Sequence, residues 1–367
     1  MSEEEAPRAL PPRANPDLFG HGAAETALFE AYNSGRLPHA WILSGPRGIG
    51  KATLAYRFAR FLLAEPRKGE GSGLFAAAAP PKSLALAPAH PVFRRVASGG
   101  HADLLTLERR LDEDGRRLKT EIAVEEARAL VDFLHLTPAE GGWRVAVIDA
   151  AEEMSRSAAN AVLKIVEEPP ARALVLLVSH APGRLLATLR SRCRRLALKP
   201  LDEKALAQVL AERLPKLGTE EGELLLKLAD GSAGRALALA EEGGLALFRE
   251  MLALLAGLPR LDSVALHRLA DRTTGREGES AFRTLTELLL WWLARLVRAA
   301  GTGEMPSEIL AGEGALFRRL AAEPRLDRWL ELWEKTGHLL ARQDSVNLER
   351  RQTVLNAFLA LESAAQP

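Results

Sequence analysis

A glycine-rich turn near residue 50 carries residue types that bind phosphate. Within WILSGPRGIGKATLAY, residues 41–56, Gly45, Gly50 and Lys51 have the G-x-x-x-x-G-K spacing of a P-loop, between an apolar strand and a helix. Glycines let backbone N–H groups surround an anion, and the N-terminus of the following helix adds its dipole. Lys51 would reach the outer phosphates as a point charge. The candidate nucleotide-binding residues are Gly45, Pro46, Arg47, Gly48, Ile49, Gly50, Lys51, Ala52, Thr53 and the more distant Asp149.

The loop lacks one group that nucleotide hydrolysis normally uses. The residue after the lysine of a P-loop is Ser or Thr, whose hydroxyl holds Mg²⁺. Here that residue is Ala52, and Thr53 comes one place late. The sequence therefore predicts weak or absent ATP binding by this chain, with Mg²⁺ accompanying any nucleotide that does bind.

A second motif, VAVIDAAE at residues 145–152, would complete a nucleotide site. Asp149 follows a buried strand, where it would contribute to the Mg²⁺ shell. A hydrolytic enzyme of this type usually has an acidic residue directly after this Asp, to polarise the attacking water. Ala150 stands there instead. Glu152 could substitute for the missing acid, but we expect it to cap a backbone segment or to face solvent.

The third motif is Ser191-Arg192-Cys193, which follows a predicted strand and a short helix. Further arginines flank it at positions 190, 194 and 195, so the tripeptide alone would be typical of a solvated basic turn. Its significance comes from its place in the chain, after the P-loop, DAAE (residues 149–152) and VEEPP (residues 166–170) motifs.

The elements that must position these residues alternate between strand and helix patterns. Strands are expected within 41–45, 102–110, 144–149, 173–178 and 188–198, and helices within 17–32, 52–64, 122–136 and 158–166. This alternation predicts a parallel sheet covered on both faces. Strand patterns stop after Asp202, and Leu245 to Ala365 is helical throughout. The predicted fold is an α/β P-loop domain (16–200) after a flexible N-terminus (1–15), then a small helical lid (201–244) and an all-α domain (245–367).

Bulk composition excludes several protein classes. The chain has 367 residues, 47% of them apolar, and a formal net charge of +1, so no overall charge draws it to nucleic acid or acidic lipid. The single cysteine, Cys193, permits no internal disulfide and suits a reducing compartment. No apolar run is long enough to span a bilayer, and the acidic N-terminus is a poor signal peptide. We expect a cytoplasmic protein with no membrane partner.

Three stretches together resemble the bacterial clamp-loader branch of the AAA+ ATPases. They are WILSGPRGIGKATLA, VAVIDAAEEMSRSAANAVLKIVEEPP and LRSRCRRLAL, within about residues 10–245, and the tail NLERRQTVLNAFLALE is similar more weakly. The resemblance implies the AAA+ fold and a C-terminal domain that joins sister subunits in a ring-shaped collar. It implies gamma/tau ATPase subunits and delta as partners, with the sliding clamp and primed DNA reached through the complex.

The resemblance gives the defects a meaning. ATPase members of the family carry Thr after the P-loop lysine and Glu after the Walker B Asp, where this chain has Ala52 and Ala150. Within the resemblance, these two alanines imply a stator subunit of the DNA polymerase III clamp loader, without ATPase activity of its own. Such a subunit donates its SRC arginine, here Arg192, as a catalytic arginine finger to a neighbouring ATPase. Two alternatives stay open, an active gamma/tau-type ATPase and a nucleotide-independent scaffold.

Other family features are absent or ambiguous. Many relatives carry a four-cysteine zinc module, but residues 64–103 contain no cysteine, only His90 and His101, so we predict no zinc and surface positions for both histidines. Ser179 or His180 falls at the position that senses phosphate in the ATPases. Gly234-Arg235 is one residue out of register for a second sensor and receives no role. The tryptophans of the helical part, Trp291, Trp292, Trp329 and Trp333, are expected in packing.

Overall fold

The computed structural model describes residues 10–65, 83–110, 119–140, 142–275, 278–321, 326–346 and 349–366. Its contacts divide the chain into two compact units. The first contains Met1–Pro215 and Asp230–Arg235, and the second contains Lys216–Ala229 and Ala236–Pro367. The chain therefore leaves the first unit, returns for one short turn and leaves again.

The first unit is built on a sheet of five parallel strands. In chain order they are β1 (Ala40–Ser44), β2 (Leu104–Leu107), β3 (Arg144–Ile148), β4 (Ala173–Ser179) and β5 (Arg194–Ala197). Their order across the sheet is β2-β3-β4-β1-β5, so β1 lies between β4 and β5. The predicted parallel sheet is confirmed, and each strand lies within or close to its predicted range.

Helices pack on both faces of this sheet because its strands are apolar on both faces. In β3, Val145 and Val147 face the core formed with the helix after the P-loop, while Ala146 and Ile148 face the opposite core. The helices of this unit are α1 (Gly22–Asn33), α2 (Lys51–Leu63), α3 (Pro91–Ala97), α4 (Val124–His135), α5 (Arg156–Glu167), α6 (Ala187–Arg192) and α7 (Glu203–Arg213).

Helix α5 begins after a serine N-cap and ends before two prolines. The Ser155 hydroxyl accepts a hydrogen bond from the Ala158 N–H at 3.1 Å, as expected of an N-cap. Ala158, Val162 and Ile165 are buried on one face of the helix. Pro169 and Pro170 follow and prevent its continuation. Its last residue, Glu167, is thereby fixed at the helix end.

A buried arginine of α2 organises the start of the described chain. Arg60 is 1% exposed, and its guanidinium donates to the carbonyls of Arg13 (3.0 Å) and Asn15 (2.9 Å). It also lies over the Phe93 ring, 4.4 Å from the ring centroid. Residues 12–14 form a short 3₁₀ helix. Residues 10–15 of the predicted flexible N-terminus thus have a defined structure, whereas residues 1–9 lie outside the described part.

Everything described after α7 is helix or connecting turn. The elements are α8 (Thr219–Ala229), α9 (Ala233–Glu241), α10 (Gly244–Ala256), α11 (Ser263–Asp271), α12 (Gly278–Thr302), α13 (Glu313–Ala321), α14 (Leu326–Val346) and α15 (Arg350–Ala365). The predicted helical last third is confirmed. The separate lid stays a prediction, since α7 belongs to the first unit and α8 to the second. In the described ranges, no helix has both the length and the apolar character that crossing a membrane requires.

Two tryptophans form the centre of the helical unit. Trp292 is fully buried and stacks on Phe317 with ring centroids 5.1 Å apart. Trp329 is also fully buried, and its indole N–H donates to the Leu320 carbonyl at 3.1 Å. Trp333 is 38% exposed. The expectation of packing therefore holds for Trp292 and Trp329.

Candidate functional site

The P-loop follows β1 at the carboxyl edge of the sheet and leads into α2. Gly45, Gly48 and Gly50 have φ angles of 150°, 75° and 103°, which disfavour residues with a side chain. A Cβ at Gly45 would lie 2.4 Å from the Leu198 carbonyl oxygen, and one at Gly48 would lie 2.4 Å from Ser232 Oγ. The loop thus has a backbone that only glycine at these positions allows.

Donors from several parts of the chain hold the backbone of this loop. Four consecutive carbonyls, those of residues 46–49, each accept one hydrogen bond. In chain order the donors are Lys51 Nζ (2.5 Å), Ser232 Oγ (2.9 Å), the Gly234 N–H (2.8 Å) and His21 Nε2 (2.6 Å). A loop fixed in this way keeps one conformation, which is what a cradle of N–H groups for an anion requires.

Lys51 is folded back onto its own loop. It is 4% exposed, and burial lowers the pKa of its ammonium group to about 8. The carboxylates of Asp149 and Glu152 oppose this shift, whereas Arg47 adds to it. The Lys51 ammonium has three N–H donors, so a phosphate oxygen can be bound beside the Pro46 carbonyl or in its place.

Asp149 lies directly after β3. Its N–H donates to the Leu107 carbonyl at 2.8 Å, and its carboxylate accepts from the Ala150 N–H at 2.9 Å. Burial raises the pKa of Asp149, and this shift is opposed by the Ala150 N–H, His180 and Lys51. Ala150 has a φ of 55° and brings no second carboxylate to the site.

Glu152 does not face solvent, so that part of the expectation is wrong. Its side chain is 2% exposed, and its carboxylate accepts from the N–H groups of His180 (3.0 Å) and Ala181 (3.1 Å). Burial acts to raise the pKa of Glu152, but the hydrogen bonds to it and His180 bring that pKa below its ordinary value. Through Oε1 the carboxylate anchors the segment after β4.

These residues fit a phosphate group better than a magnesium nucleotide. The glycine cradle, the start of α2 and Lys51 supply what a phosphate needs. Ala52 has no hydroxyl for a metal, and Thr53 is 7% exposed within α2. One step along a helix turns a side chain by about 100°, so Thr53 does not replace the missing hydroxyl. Asp149 would be the remaining ligand for Mg²⁺ if a magnesium nucleotide were bound.

The zinc prediction concerned residues 64–103, whose two histidines, His90 and His101, were expected at the surface. His101 is buried at 4% exposure, and its Nδ1 accepts from the Asp103 N–H at 3.1 Å, so the expected surface position is wrong. His90 caps α3 by accepting from the Val92 N–H at 3.2 Å. Both rings therefore have structural contacts. Residues 66–82 of this segment lie outside the described part.

Arg192 is the last residue of α6. Its Nη2 pairs with Glu167 Oε1 at 2.9 Å, and Nη1 donates to the Thr188 carbonyl at 3.3 Å. The arginine side chain is 43% exposed. The next residue, Cys193, is buried, and burial raises the pKa of its thiol to about 11.

The sheet separates Arg192 from the chain's own P-loop. Strands β1 and β5 are parallel neighbours, in which Trp41 pairs with Arg194 and Ser44 pairs with Ala197. The P-loop leaves from the Ser44 end, whereas Arg192 precedes the Arg194 end. Three residue steps of strand, about 10 Å, lie between these edges. The predicted site residues therefore form two sites, one at each edge.

Comparison with known proteins shows which family this chain resembles. A family model described as "DNA polymerase III, delta subunit" matches residues 20–202. The DNA polymerase III subunit delta' of Pseudomonas aeruginosa is 37% identical over 194 residues, 53% of each chain. That of Escherichia coli is 32% identical over 212 residues, 58% of this chain and 57% of the relative. Residues 20–202 of the chain thus belong to this family of DNA polymerase III subunits.

Other members of the clamp-loader family match as well. DNA polymerase III subunit tau of Salmonella typhimurium is 31% identical over 246 residues, 66% of this chain and 35% of the relative. A solved structure described as a DNA polymerase III gamma subunit-related protein from Thermotoga maritima is 18% identical, with a TM-score of 0.42, and covers 94% of this chain and 99% of that one. The chain spans about half the length of the delta-prime relatives it matches.

Two residues of the P-loop site carry no recognisable signal in the sequence. His21 and Ser232 both donate to the loop, yet they lie 28 and 185 residues from their acceptors. Ser232 belongs to the DGSAGR turn, whose glycine–arginine pair had suggested a sensor without the right register. A lone histidine before a helix gave no signal.

Proposed function

We propose that this chain is the delta-prime, or stator, subunit of a clamp loader. It donates Arg192 to the ATP site of a neighbouring gamma/tau-type ATPase subunit, and the complex, with a delta subunit, uses ATP to place a sliding clamp on primed DNA. The chain itself binds ATP weakly or not at all and does not hydrolyse it.

The position of Arg192 carries this proposal. Its guanidinium is exposed at the amino edge of the sheet, away from the P-loop of its own chain. A planar guanidinium can meet phosphate oxygens while negative charge shifts during phosphoryl transfer. Placed at this edge, it can serve a nucleotide on another subunit. Ala52 and Ala150 support the second half of the proposal, because they remove the hydroxyl and the carboxylate that manage metal and water.

The test is ATP hydrolysis by the assembled loader, with the neighbouring ATPase site isolated. The other ATPase sites are silenced through their P-loop lysines, so that the measured turnover comes from the site that faces this chain. Arg192→Ala is expected to lower that turnover about 10³-fold. Arg192→Lys should restore little, because an ammonium lacks the planar fork. Arg195→Ala, a nearby exposed arginine on β5, is the matched control.

Two results would contradict the proposal in different ways. An unchanged rate of ATP hydrolysis with Arg192→Ala in a fully assembled complex would identify this chain as a scaffold without a nucleotide role. Turnover by the isolated chain that Lys51→Ala abolishes would identify an active ATPase. Nucleotide binding by the purified chain, measured with and without Mg²⁺, separates these cases further, since a stator should gain little from the metal.

A further inference from the structure

The arginine finger makes an ion pair within its own chain, with a residue of the VEEPP motif that the proposed function leaves without a role. Glu167 and Arg192 are the last residues of α5 and α6, two helices that pack together. Glu167 Oε1 lies 2.9 Å from Arg192 Nη2. In the described part of the chain, Arg192 pairs with Glu167 and not with the adjacent Glu168.

A second contact fixes the other corner of the guanidinium. Arg192 Nη1 donates to the carbonyl of Thr188, one helical turn earlier, at 3.3 Å. Two acceptors on two corners define the plane of the group, since a guanidinium presents five N–H donors in a rigid fork. Both charged side chains remain about two-fifths exposed. The group is thus oriented while part of it stays open to solvent.

The end of α5 makes Glu167 a suitable anchor. Pro169 and Pro170 stop the helix directly after the Glu167-Glu168 pair, so the position of Glu167 is set by the backbone. Arg192 occupies a helix end as well, just before β5 enters the sheet. A carboxylate on a fixed element can hold a long side chain in one rotamer. Without such a partner, the side chain loses its rotamer freedom only when it contacts its target.

We infer that Glu167 is a positioning residue for the arginine finger. It holds the Arg192 fork in one orientation before the neighbour's phosphate arrives, so that less side-chain freedom is lost in the transition state. The inference rests on the proposed function, because it needs Arg192 to act on a neighbouring nucleotide. Glu167 also carries a negative charge near that phosphate. If its orientation of Arg192 dominates, removing the carboxylate slows ATP hydrolysis; if its repulsion of the phosphate dominates, removing it speeds hydrolysis.

The experiment compares variants in the complex with the other ATPase sites silenced. Glu167→Ala is expected to lower kcat about three-fold with KM unchanged, a small factor because exposed ion pairs are weak. Glu167→Gln keeps an acceptor of the same shape and should recover part of the loss. Glu168→Ala, one residue along and also exposed, is the matched control and should behave as wild type.

A double variant shows whether Glu167 acts through Arg192. In the Arg192→Ala background, adding Glu167→Ala should cause no further fall. A wild-type or faster rate with Glu167→Ala overturns the inference, as does a further fall in the double variant. An Arg192→Ala complex of normal rate overturns the proposed function and the role of Glu167 with it. If Glu167→Ala fails to assemble, as gel filtration would show, Glu167→Met, which removes the acceptor but keeps the length of the side chain, decides by the same criteria.

Discussion

At the scale of single residues, the sequence indicates the chemistry of the P-loop but not what holds it. Gly45, Gly50 and Lys51 are recognisable because their roles depend on local backbone conformation and spacing. His21 and Ser232 act through contacts that only the folded chain creates. Glu152 was expected to cap a backbone segment or to face solvent, and the structure shows the first of these, with backbone N–H groups binding its carboxylate in the interior.

Lys51 gives stability a pH dependence. Its pKa is about 8 in the folded chain against an ordinary 10.5, so between these values the unfolded chain binds a proton that the folded chain does not. Stability contributed by this residue therefore rises with pH across that window. Lys51→Met removes the effect. Its free energy of unfolding relative to wild type should fall by about 2 kcal/mol between pH 7 and pH 10.

Urea unfolding at several pH values measures this difference. Lys164→Met, at an exposed position of α5, is the control, and it should shift stability by less than about 0.5 kcal/mol throughout. A Lys51→Met difference that stays constant with pH would show that burial does not perturb the lysine.

At the scale of elements, strands were predicted more reliably than short helices. Runs such as ALVLLV have few alternatives to a buried strand. Helix α3 was missed because its surroundings are rich in Gly, Pro and Ala, although Pro91 at its first position and His90 as its cap are both present. The docking of the DGSAGR turn on the P-loop had no local signal, since it joins segments about 185 residues apart.

That docking requires a residue without a side chain at position 234. A Cβ on Gly234 would lie 3.0 Å from Gly48 Cα and 3.3 Å from Gly48 O, both backbone atoms. Gly234→Ala should therefore destabilise the chain by about 1–3 kcal/mol and weaken any phosphate binding by the loop. Denaturant unfolding and phosphate titration test both effects.

Gly222→Ala in α8 provides the matched comparison. Its Cβ would meet Leu217 Cδ2 at 3.7 Å, an ordinary contact. It should stabilise the chain by up to about 1 kcal/mol, because alanine favours a helix. Equal effects of the two substitutions would show that the turn does not press on the P-loop.

At the scale of the whole molecule, the sequence predicts the change from α/β to all-helical structure but not the division into units. The predicted boundaries followed changes in pattern near 200 and 245. The chain also returns to the first unit at Asp230–Arg235, a path that depends on contacts and leaves no trace in composition. Each unit has its own core, and that of the second contains a buried ion pair.

The buried pair makes the helical unit sensitive to one substitution. Glu313 has no exposed side-chain surface; its carboxylate lies 2.7 Å from Arg295 Nη1 and accepts from the Ile309 N–H at 2.8 Å. Glu313→Ala should cost about 3–5 kcal/mol, because a buried guanidinium loses its counter-charge. Hydrogen exchange should rise across α12 and α13 and remain unchanged in β1, β3 and β4.

An exposed pair supplies the comparison. Lys335 and Glu331 form an ion pair one turn apart on α14, with most of both side chains in solvent. Glu331→Ala should cause no measurable change in exchange. Equal exchange in wild type and Glu313→Ala would show that the buried pair contributes nothing to the stability of this unit.

The burial of Cys193 has a practical consequence for labelling. With a thiol pKa of about 11, only about one molecule in 10⁴ carries the reactive thiolate at pH 7. As the chain's sole cysteine, it should leave native protein almost inert to maleimide dyes. Fluorophores can then be attached at introduced cysteines with little background. Any reaction at Cys193 itself reports local opening between α6 and β5, beside Arg192.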